Sequence, residues 1–409
     1  MPLFSKKVLI ISPEVYPQVK VGGLGKMVAG ASKGLTGLGV EVKVISSEQN
    51  IYHSLFLKST QENYRLLGKK AGAWCQDNSW QPDWVWTHDW GGVWSAAEFR
   101  KTNSSPILWT VHSPIADSYA YEYEYGYGYE SEGEGEPIDW GDSFFDFSAL
   151  VERGISLSSK LTTVSPAFAR RLSRSKLFAK AKKITGINNG IDYQEWDPQK
   201  DSLIDFNLKN SWLEFKQRNK KTLQQKFGLP QISVPVFCFV SRVVPQKGIE
   251  LLIEVLPEFL AKNEIQFILV GSGSRKLTRC IDTLKQRFPG KVGVRLAADF
   301  DLPHQVFAGA DFLVLPSRAE PFGIVVAEAR KYGTIPIVHL VDGLVDQVKD
   351  GENGFGFQGH KSDLLLEKLY QAFNSWQSEW QYQQFGNLNK VASWEAAVKN
   401  WLGLMNERS

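Results

Sequence analysis

Two successive runs of alternating strand-like and helix-like segments limit the folds open to this chain. In the first half, the apolar segment 8–12 precedes residues 24–38, whose apolar positions recur as on one face of an amphipathic helix. The second half repeats the scheme, with helical patterns after the apolar segments 236–241, 267–271 and 312–317. Such alternation predicts parallel sheets with right-handed crossovers, and these sheets bind ligands at the carboxyl ends of their strands.

Length and composition narrow the class of protein. At 409 residues the chain fits two domains, and its 43% apolar and 22% charged residues are typical of globular proteins. The net charge of +3 is too small to favour a nucleic-acid partner. Three widely separated cysteines show neither metal-ligand spacing nor a disulfide framework. No signal peptide or bilayer-spanning segment is apparent, so we expect a cytoplasmic protein without a membrane span.

Glycines and cations at strand-to-helix junctions are the first candidate ligand groups. Gly22 and Gly23 separate the first strand from the first helix, where backbone amides favour anions, and Lys20 adds a positive charge. Arg242 and Lys247 follow the first strand of the second half, and two cations beside a helix start suit a diphosphate. The alternatives are glycines that serve packing and ordinary solvated charges.

Carboxylates and a histidine at other strand ends indicate sugar contacts. Glu320 precedes the turn at Gly323, and Glu328 lies inside the helix that follows. A carboxylate beside a sugar can bind hydroxyls or stabilise positive charge at the anomeric carbon. Asp89 and His112 close strand-like segments of the first half, where ligands meet a parallel sheet. The alternatives are a helix-surface role for Glu328 and a structural role for the histidine.

The sequence contains one possible metal-binding motif. Asp299 and Asp301 resemble the Asp-x-Asp of metal-dependent transferases, but one such triplet is expected by chance in a chain of this size. The chain instead offers lysine and arginine where such enzymes place carboxylates. We therefore expect no metal site.

Taken in order, these motifs resemble those of the bacterial glycogen synthase and plant starch synthase family. The resemblance is collinear over most of the chain. The matching positions are 20–24, 87–90, 110–112, 163–166, 189–192, 241–248, 308–311, 316–321, 331–334 and 393–394.

The resemblance implies an α/β fold of the GT-B type, in which two Rossmann-like domains face a deep cleft. We place the N-terminal domain at residues 1–205, the C-terminal domain at 206–375, and a last helix, about 376–409, crossing back to the N-terminal domain. The implied reaction is retaining transfer of glucose from ADP-glucose or UDP-glucose to the 4-hydroxyl of an α-glucan. The nucleotide sugar is then a substrate, and no cofactor or metal is expected.

The resemblance also implies roles for individual residues. Asp89, His112 and Glu320 form the catalytic group that contacts the glucosyl ring. The donor-binding group is Lys20, Gly22, Gly23, Arg242, Lys247, Gly323, Glu328, Gly343 and Leu344.

The sequence departs from the family pattern at several points. The family's Thr-Gly-Gly-Leu reads Val-Asp-Gly-Leu at 341–344, and Asp342 would repel a neighbouring diphosphate. Ala298 stands where the family carries tyrosine, and the Tyr- and Glu-rich segment 119–136 replaces the usual acceptor-side segment.

A second family feature keeps other functions open. The spacing of Glu320 and Glu328 resembles the two-glutamate pattern of the sucrose synthase-type glycosyltransferases. A transferase of the same fold acting on a small acceptor is therefore one alternative. A non-catalytic glucan-binding homologue is the other.

Overall fold

The described residues form two compact units. A computed structural model describes residues 6–18, 23–47, 58–113, 147–297, 299–377 and 391–407. The first unit contains those up to Ser113, those of 147–190 and those from Ala392 onward, and the second contains those of Ile191–Val391. Outside the described residues lie Lys20, Gly22, Ala298 and the segment 119–136.

A six-stranded parallel sheet organises the first unit. Its strands are β1 (Lys7–Ser12), β2 (Glu41–Ser46), β3 (Trp84–His88), β4 (Ile107–Val111), β5 (Lys160–Thr163) and β6 (Thr185–Gly186). Their spatial order is β2-β1-β3-β4-β5-β6. Every residue of β3 and β4 is buried, as expected for central parallel strands covered on both faces.

Helices of the first unit follow its strands along the chain. Among the described residues they are α1 (Gly23–Gly37), α2 (Lys58–Asp77), α3 (Gly91–Phe99), α4 (Phe147–Leu157), α5 (Pro166–Arg174) and the C-terminal helix (Trp394–Asn406).

The C-terminal helix packs on α1 within this unit. The Trp394 ring fills the space over Gly30, where an added Cβ would lie 2.1 Å from the ring. Trp401 contacts Trp86 of β3, with ring centroids 5.2 Å apart. The hydroxyl of Ser393 caps the helix by accepting the Ala396 N–H at 3.3 Å. The last helix therefore belongs to the first unit.

The second unit has its own six-stranded parallel sheet. Its strands are β7 (Val236–Val240), β8 (Gln266–Val270), β9 (Val292–Arg295), β10 (Phe312–Leu315), β11 (Ile335–His339) and β12 (Phe355–Phe357). The spatial order is β12-β11-β10-β7-β8-β9. Its described helices are α6 (Trp212–Lys226), α7 (Ile249–Lys262), α8 (Arg275–Arg287), α9 (Leu302–Gly309), α10 (Ile324–Lys331), α11 (Gly343–Gln347) and α12 (Ser362–Gln377).

The boundary between the units differs from the predicted one at residue 205. The first unit ends at Gly190, and the second begins at Ile191. Trp196 stacks on His304 with ring centroids 3.8 Å apart, and Asp201 accepts hydrogen bonds from His304 Nδ1 (2.7 Å) and the Tyr332 hydroxyl. These buried contacts hold the connecting segment to the second unit. Among the described residues, the last helix begins at Trp394, later than the predicted start near residue 376.

Two general expectations can be compared with the structure. Among the helices described, none combines the length and apolarity needed to cross a membrane. Cys75, Cys238 and Cys280 are all free thiols.

Candidate active site

Each sheet has a point where the direction of strand addition reverses. In the first sheet β1 lies between β2 and β3, and in the second β7 lies between β10 and β8. Open α/β sheets bind ligands outside the carboxyl ends of strands at such a reversal. Asp89 follows β3, Arg242 follows β7, and Glu320 lies beyond β10. Each unit therefore carries predicted site residues at its switch point.

Asp89 is the most constrained residue of the first group. It is buried, has a positive φ of 54°, and follows β3 directly. Its Oδ1 accepts the backbone N–H groups of His112 and Ser113, each at 3.2 Å, and its Oδ2 accepts the Ser113 hydroxyl at 2.7 Å. Burial raises the pKa of Asp89 to about 6, although these hydrogen bonds act in the opposite direction. The carboxyl thus fixes the turn that presents His112.

A pair of histidines lies beside it. His88 Nδ1 and His112 Nε2 are 3.1 Å apart, so one ring donates a hydrogen bond to the other. Burial lowers the pKa of His112 to about 3. Burial, together with the neighbouring His112, places the pKa of His88 well below its ordinary value. Both rings are therefore neutral near pH 7, which suits hydrogen bonding to uncharged hydroxyls better than binding of phosphate.

In the second unit, an ion pair joins a predicted donor residue to a predicted catalytic one. Lys247 Nζ lies 2.6 Å from Glu320 Oε2, and their side chains are only 12% and 9% exposed. The Ser317 hydroxyl donates to the same oxygen at 3.2 Å. Gly248 follows Lys247 with φ of 68°, and an added Cβ there would lie 1.9 Å from the Pro316 carbonyl oxygen. Glycine at 248 therefore permits the close approach of the two loops.

Arg242 remains accessible beside this pair. It is exposed, and its Nη2 donates to Gln246 Oε1 at 3.2 Å. The Gln246 carbonyl oxygen accepts the Arg318 N–H at 2.9 Å, and its side-chain amide donates to the Ala319 carbonyl at 3.2 Å. Gln246 thus ties the loop of Arg242 and Lys247 to the loop that carries Glu320.

The turn before α11 is fastened to the same loop. Gly343 N–H donates to the Glu320 carbonyl at 3.0 Å, and Leu344 N–H donates to the Val341 carbonyl at 3.0 Å. Asp342 Oδ2 accepts the Glu320 N–H at 3.1 Å. The amides at 343 and 344, predicted to contact the donor, thus both bond within the protein. The Asp342 carboxylate likewise faces a backbone N–H.

Other predicted residues fall at distinct places. Gly23 is exposed at the start of α1, and Gly323 precedes α10 with φ of 86°. Glu328 is buried in α10, which excludes the helix-surface alternative. Asp299 has a local role, because its Oδ1 accepts the N–H groups of Asp301 (3.0 Å) and Leu302 (2.8 Å) at the start of α9.

Sequence reasoning missed three polar residues of these clusters. Ser113 holds Asp89, while Ser317 and Gln246 hold Glu320 and its loop. Each lies in the segment that follows a strand, β4, β10 or β7, and this position was what could have indicated a site residue. A serine or glutamine in a loop is too common for that signal to select them.

Family models match both halves of the chain. Residues 21–195 match Glycosyltransferase Family 4, and residues 220–387 match Glycosyl transferases group 1. The glycogen synthase of a Marinomonas species is 33% identical over 344 residues, which cover 80% of this chain and 71% of that protein. This chain belongs to the glycogen synthase family. The glycogen synthase of Kosmotoga olearia is 35% identical, but the match spans 62% of this chain and only 57% of that relative.

Solved structures support the same family fold. The catalytic domain of starch synthase IV from Arabidopsis thaliana, bound to ADP and acarbose, superimposes with a TM-score of 0.81 at 23% identity, covering 98% of this chain and 99% of that one. A sucrose-phosphate synthase from Thermosynechococcus elongatus gives a TM-score of 0.69 at 18% identity, covering 98% of each chain. The GT-B fold expected for this glycogen synthase family member is therefore confirmed.

Proposed function

We propose that this chain is a retaining glycosyltransferase that moves glucose from ADP-glucose or UDP-glucose to an α-glucan. Membership of the glycogen synthase family supports the reaction class. The observation that carries the proposal is the buried Lys247–Glu320 pair beside the exposed Arg242 at the switch point of the second sheet. It combines cations suited to a diphosphate with a carboxylate suited to a sugar.

The donor half of the site follows from these charges. A nucleoside diphosphate carries its negative charge on the group that leaves, so Arg242 and Lys247 would stabilise it as that charge grows. Lys247 would then divide its interaction between the diphosphate and Glu320. The carboxylate of Glu320, held by Ser317 and Lys247, would face the glucosyl ring.

The first unit would supply neutral hydrogen-bonding groups. A neutral His112 can bind a sugar hydroxyl without demanding a negative partner. Asp89 accepts the backbone N–H groups of His112 and Ser113 with Oδ1 and the Ser113 hydroxyl with Oδ2. This use of Asp89 argues against a nucleophilic role, because both carboxyl oxygens already accept hydrogen bonds within the protein.

The anomeric configuration would be retained because both bond changes occur on the same face of the sugar. The bond from the anomeric carbon to the phosphate oxygen breaks, and the acceptor 4-hydroxyl oxygen bonds to the same face. The departing phosphate oxygen takes the hydroxyl proton, so no dedicated protein base is required. The nucleotide sugar is a substrate in this scheme, and we propose that no cofactor takes part.

Product analysis tests the proposal. The protein is incubated with ADP-glucose or UDP-glucose, with and without glycogen, and nucleoside diphosphate release and the anomer formed are followed by NMR. The expected result is release dependent on glycogen and a new α-linkage. An inverted product would contradict retention, and neither donor being consumed would favour the non-catalytic homologue.

A small acceptor remains the second candidate. Glu328 is buried in α10 like Glu320 in its loop, and this two-glutamate arrangement motivates the alternative. Donor consumption that rises with a mono- or disaccharide but not with glycogen would favour the small-acceptor alternative.

For the cellular location we propose the cytoplasm, because the three cysteines are free thiols, as is usual in a reducing compartment.

A further inference from the structure

Asp342 has a backbone conformation that ordinarily belongs to glycine. Its φ is 45° and its ψ is −127°, outside the left-handed helical region that aspartate visits. The residue is 6% exposed, so solvent does not hold its carboxylate. A strained, buried aspartate persists only where surrounding contacts compensate for the strain.

The compensating contacts converge on the loop of Glu320. Asp342 Oδ2 accepts the Glu320 N–H at 3.1 Å, and Gly343 N–H donates to the Glu320 carbonyl at 3.0 Å. An added Cβ on Gly343 would lie 2.4 Å from the Pro321 carbonyl oxygen, so the two segments are in direct contact. Gln347 continues the attachment by donating to the carbonyl of Phe322 and, at 3.2 Å, to that of Gly323. Both backbone polar groups of Glu320 are therefore bonded to residues 342 and 343.

We infer that Asp342 is a positioning residue that fixes the Glu320 backbone so that its carboxylate meets the glucosyl ring in the reactive geometry. The inference rests on the proposed function and deepens it by assigning a role to the residue that departs from the family's glycine. In this role the Asp342 carboxylate acts through the Glu320 N–H and does not touch the donor. A glycine at 342 leaves that N–H without this acceptor, and small displacements of a catalytic group cost large factors in rate.

Kinetics of Asp342→Gly and Asp342→Asn test the inference. Glycine adopts the observed backbone without strain, so Asp342→Gly should fold, yet its kcat should fall by about tenfold or more. Its KM for the nucleotide sugar should change by less than about threefold, because a positioning residue acts after binding. Asn keeps a side-chain acceptor oxygen, so Asp342→Asn should recover most of the turnover that Asp342→Gly loses. Ser79→Gly is the control, because it also replaces a non-glycine residue of positive φ, here an exposed one outside both candidate clusters, and it should leave kcat unchanged.

Hydrogen exchange gives a readout independent of turnover. The Glu320 amide should exchange faster in Asp342→Gly than in the wild type or in Asp342→Asn. Unchanged exchange and an unchanged kcat in Asp342→Gly would overturn the inference while leaving the proposed function intact. A lower donor KM in both variants at constant kcat would also overturn it, because it would show that the charge of Asp342 repels the diphosphate. A wild-type protein that consumes no nucleotide sugar would remove the proposed function and this role together, whatever the exchange rates.

Discussion

At the residue scale, the two candidate clusters differ in the charge they present. His88 and His112 of the first unit form a neutral, hydrogen-bonded pair next to the buried carboxyl of Asp89. Lys247, Glu320 and Arg242 form an ionic group in the second unit. Substitutions in the two clusters should therefore have different effects. In the first cluster we expect a change in the pH dependence of stability, and in the second a change in the affinity for anions.

Lys247 is expected to bind the donor diphosphate. Lys247→Ala should weaken nucleoside diphosphate binding by about 1–3 kcal/mol, because a charged hydrogen bond is lost. Titration calorimetry with ADP and UDP measures the change. Lys262→Ala is the matched control, since Lys262 pairs with Glu258 on an exposed helix face. Equal affinities in wild type and Lys247→Ala would remove Lys247 from the donor site.

The raised pKa of Asp89 gives stability a defined pH dependence. The pKa of Asp89 in the folded protein is about 6 against an ordinary value of 3.8, so the folded state binds the proton more tightly than the unfolded state. Stability from this group is full below about pH 4, falls as pH rises to about 6, and then stays level. The loss amounts to about 3 kcal/mol at most. Denaturant unfolding of wild type and Asp89→Asn across this range should show the decline in the wild type only. Parallel curves for the two proteins would contradict the assignment.

At the element scale, helix contacts depend on a few buried positions. The C-terminal helix meets α1 through the pairing of Gly30 with Trp394, and α6 holds the ends of two other helices through Lys216. Periodicity predicts the existence of these helices. It does not predict which residues they bring together.

Gly30 permits the approach of the C-terminal helix to α1. Gly30→Ala places a methyl group 2.1 Å from the Trp394 ring. It should therefore destabilise the fold by about 1–3 kcal/mol through overpacking. Gly37→Ala at the end of the same helix meets nothing within 4 Å, so it should be neutral or stabilising. Thermal unfolding of both variants makes the comparison, and equal midpoints would show that the helices separate easily.

Lys216 places a buried amine between two helix ends. Its Nζ donates to the carbonyls of Phe307 (2.8 Å) and Tyr332 (3.3 Å) and to Thr334 Oγ1 (3.0 Å). Burial lowers its pKa to about 7, so the contribution of this residue to stability rises as pH increases from about 7 towards the unfolded value. Lys216→Met should lack this rise and should lose about 1–3 kcal/mol at pH 8. Urea unfolding measures both effects, and the exposed Lys221→Met on the same helix should show neither.

At the scale of the whole molecule, the sequence predicted the architecture well and the site in part. Alternating patterns predict parallel sheets, and parallel sheets place Asp89, Arg242 and Glu320 at carboxyl ends. The contact between Lys247 and Glu320 was not predictable from spacing, because it depends on β7 and β10 being neighbours although β8 and β9 separate them in sequence. Residues 191–205 carry no strand or helix pattern, so their attachment to the second unit through Trp196 and Asp201 was also missed.

The proposed reaction is expected to need no metal ion. Arg242 and Lys247 would supply positive charge where metal-dependent transferases use a divalent cation, so turnover should be unchanged in EDTA. Assays with EDTA, and then with added Mn²⁺, measure this. Activity lost in EDTA and restored by Mn²⁺ would contradict the scheme and would give Asp299 and Asp301 a role beyond starting α9.

The C-terminal helix packs in the first unit but is translated after the second unit. Residues 191–391 leave the ribosome before 394–406 do, so the second unit can fold while the first still lacks its last helix. During that interval the faces of α1 around Gly30 and of β3 around Trp86 have no Trp394 or Trp401 to cover them. A stop codon before residue 394 would leave them uncovered permanently. The nascent chain therefore exposes the apolar faces around Gly30 and Trp86 until residues 394–406 have been synthesised and have folded.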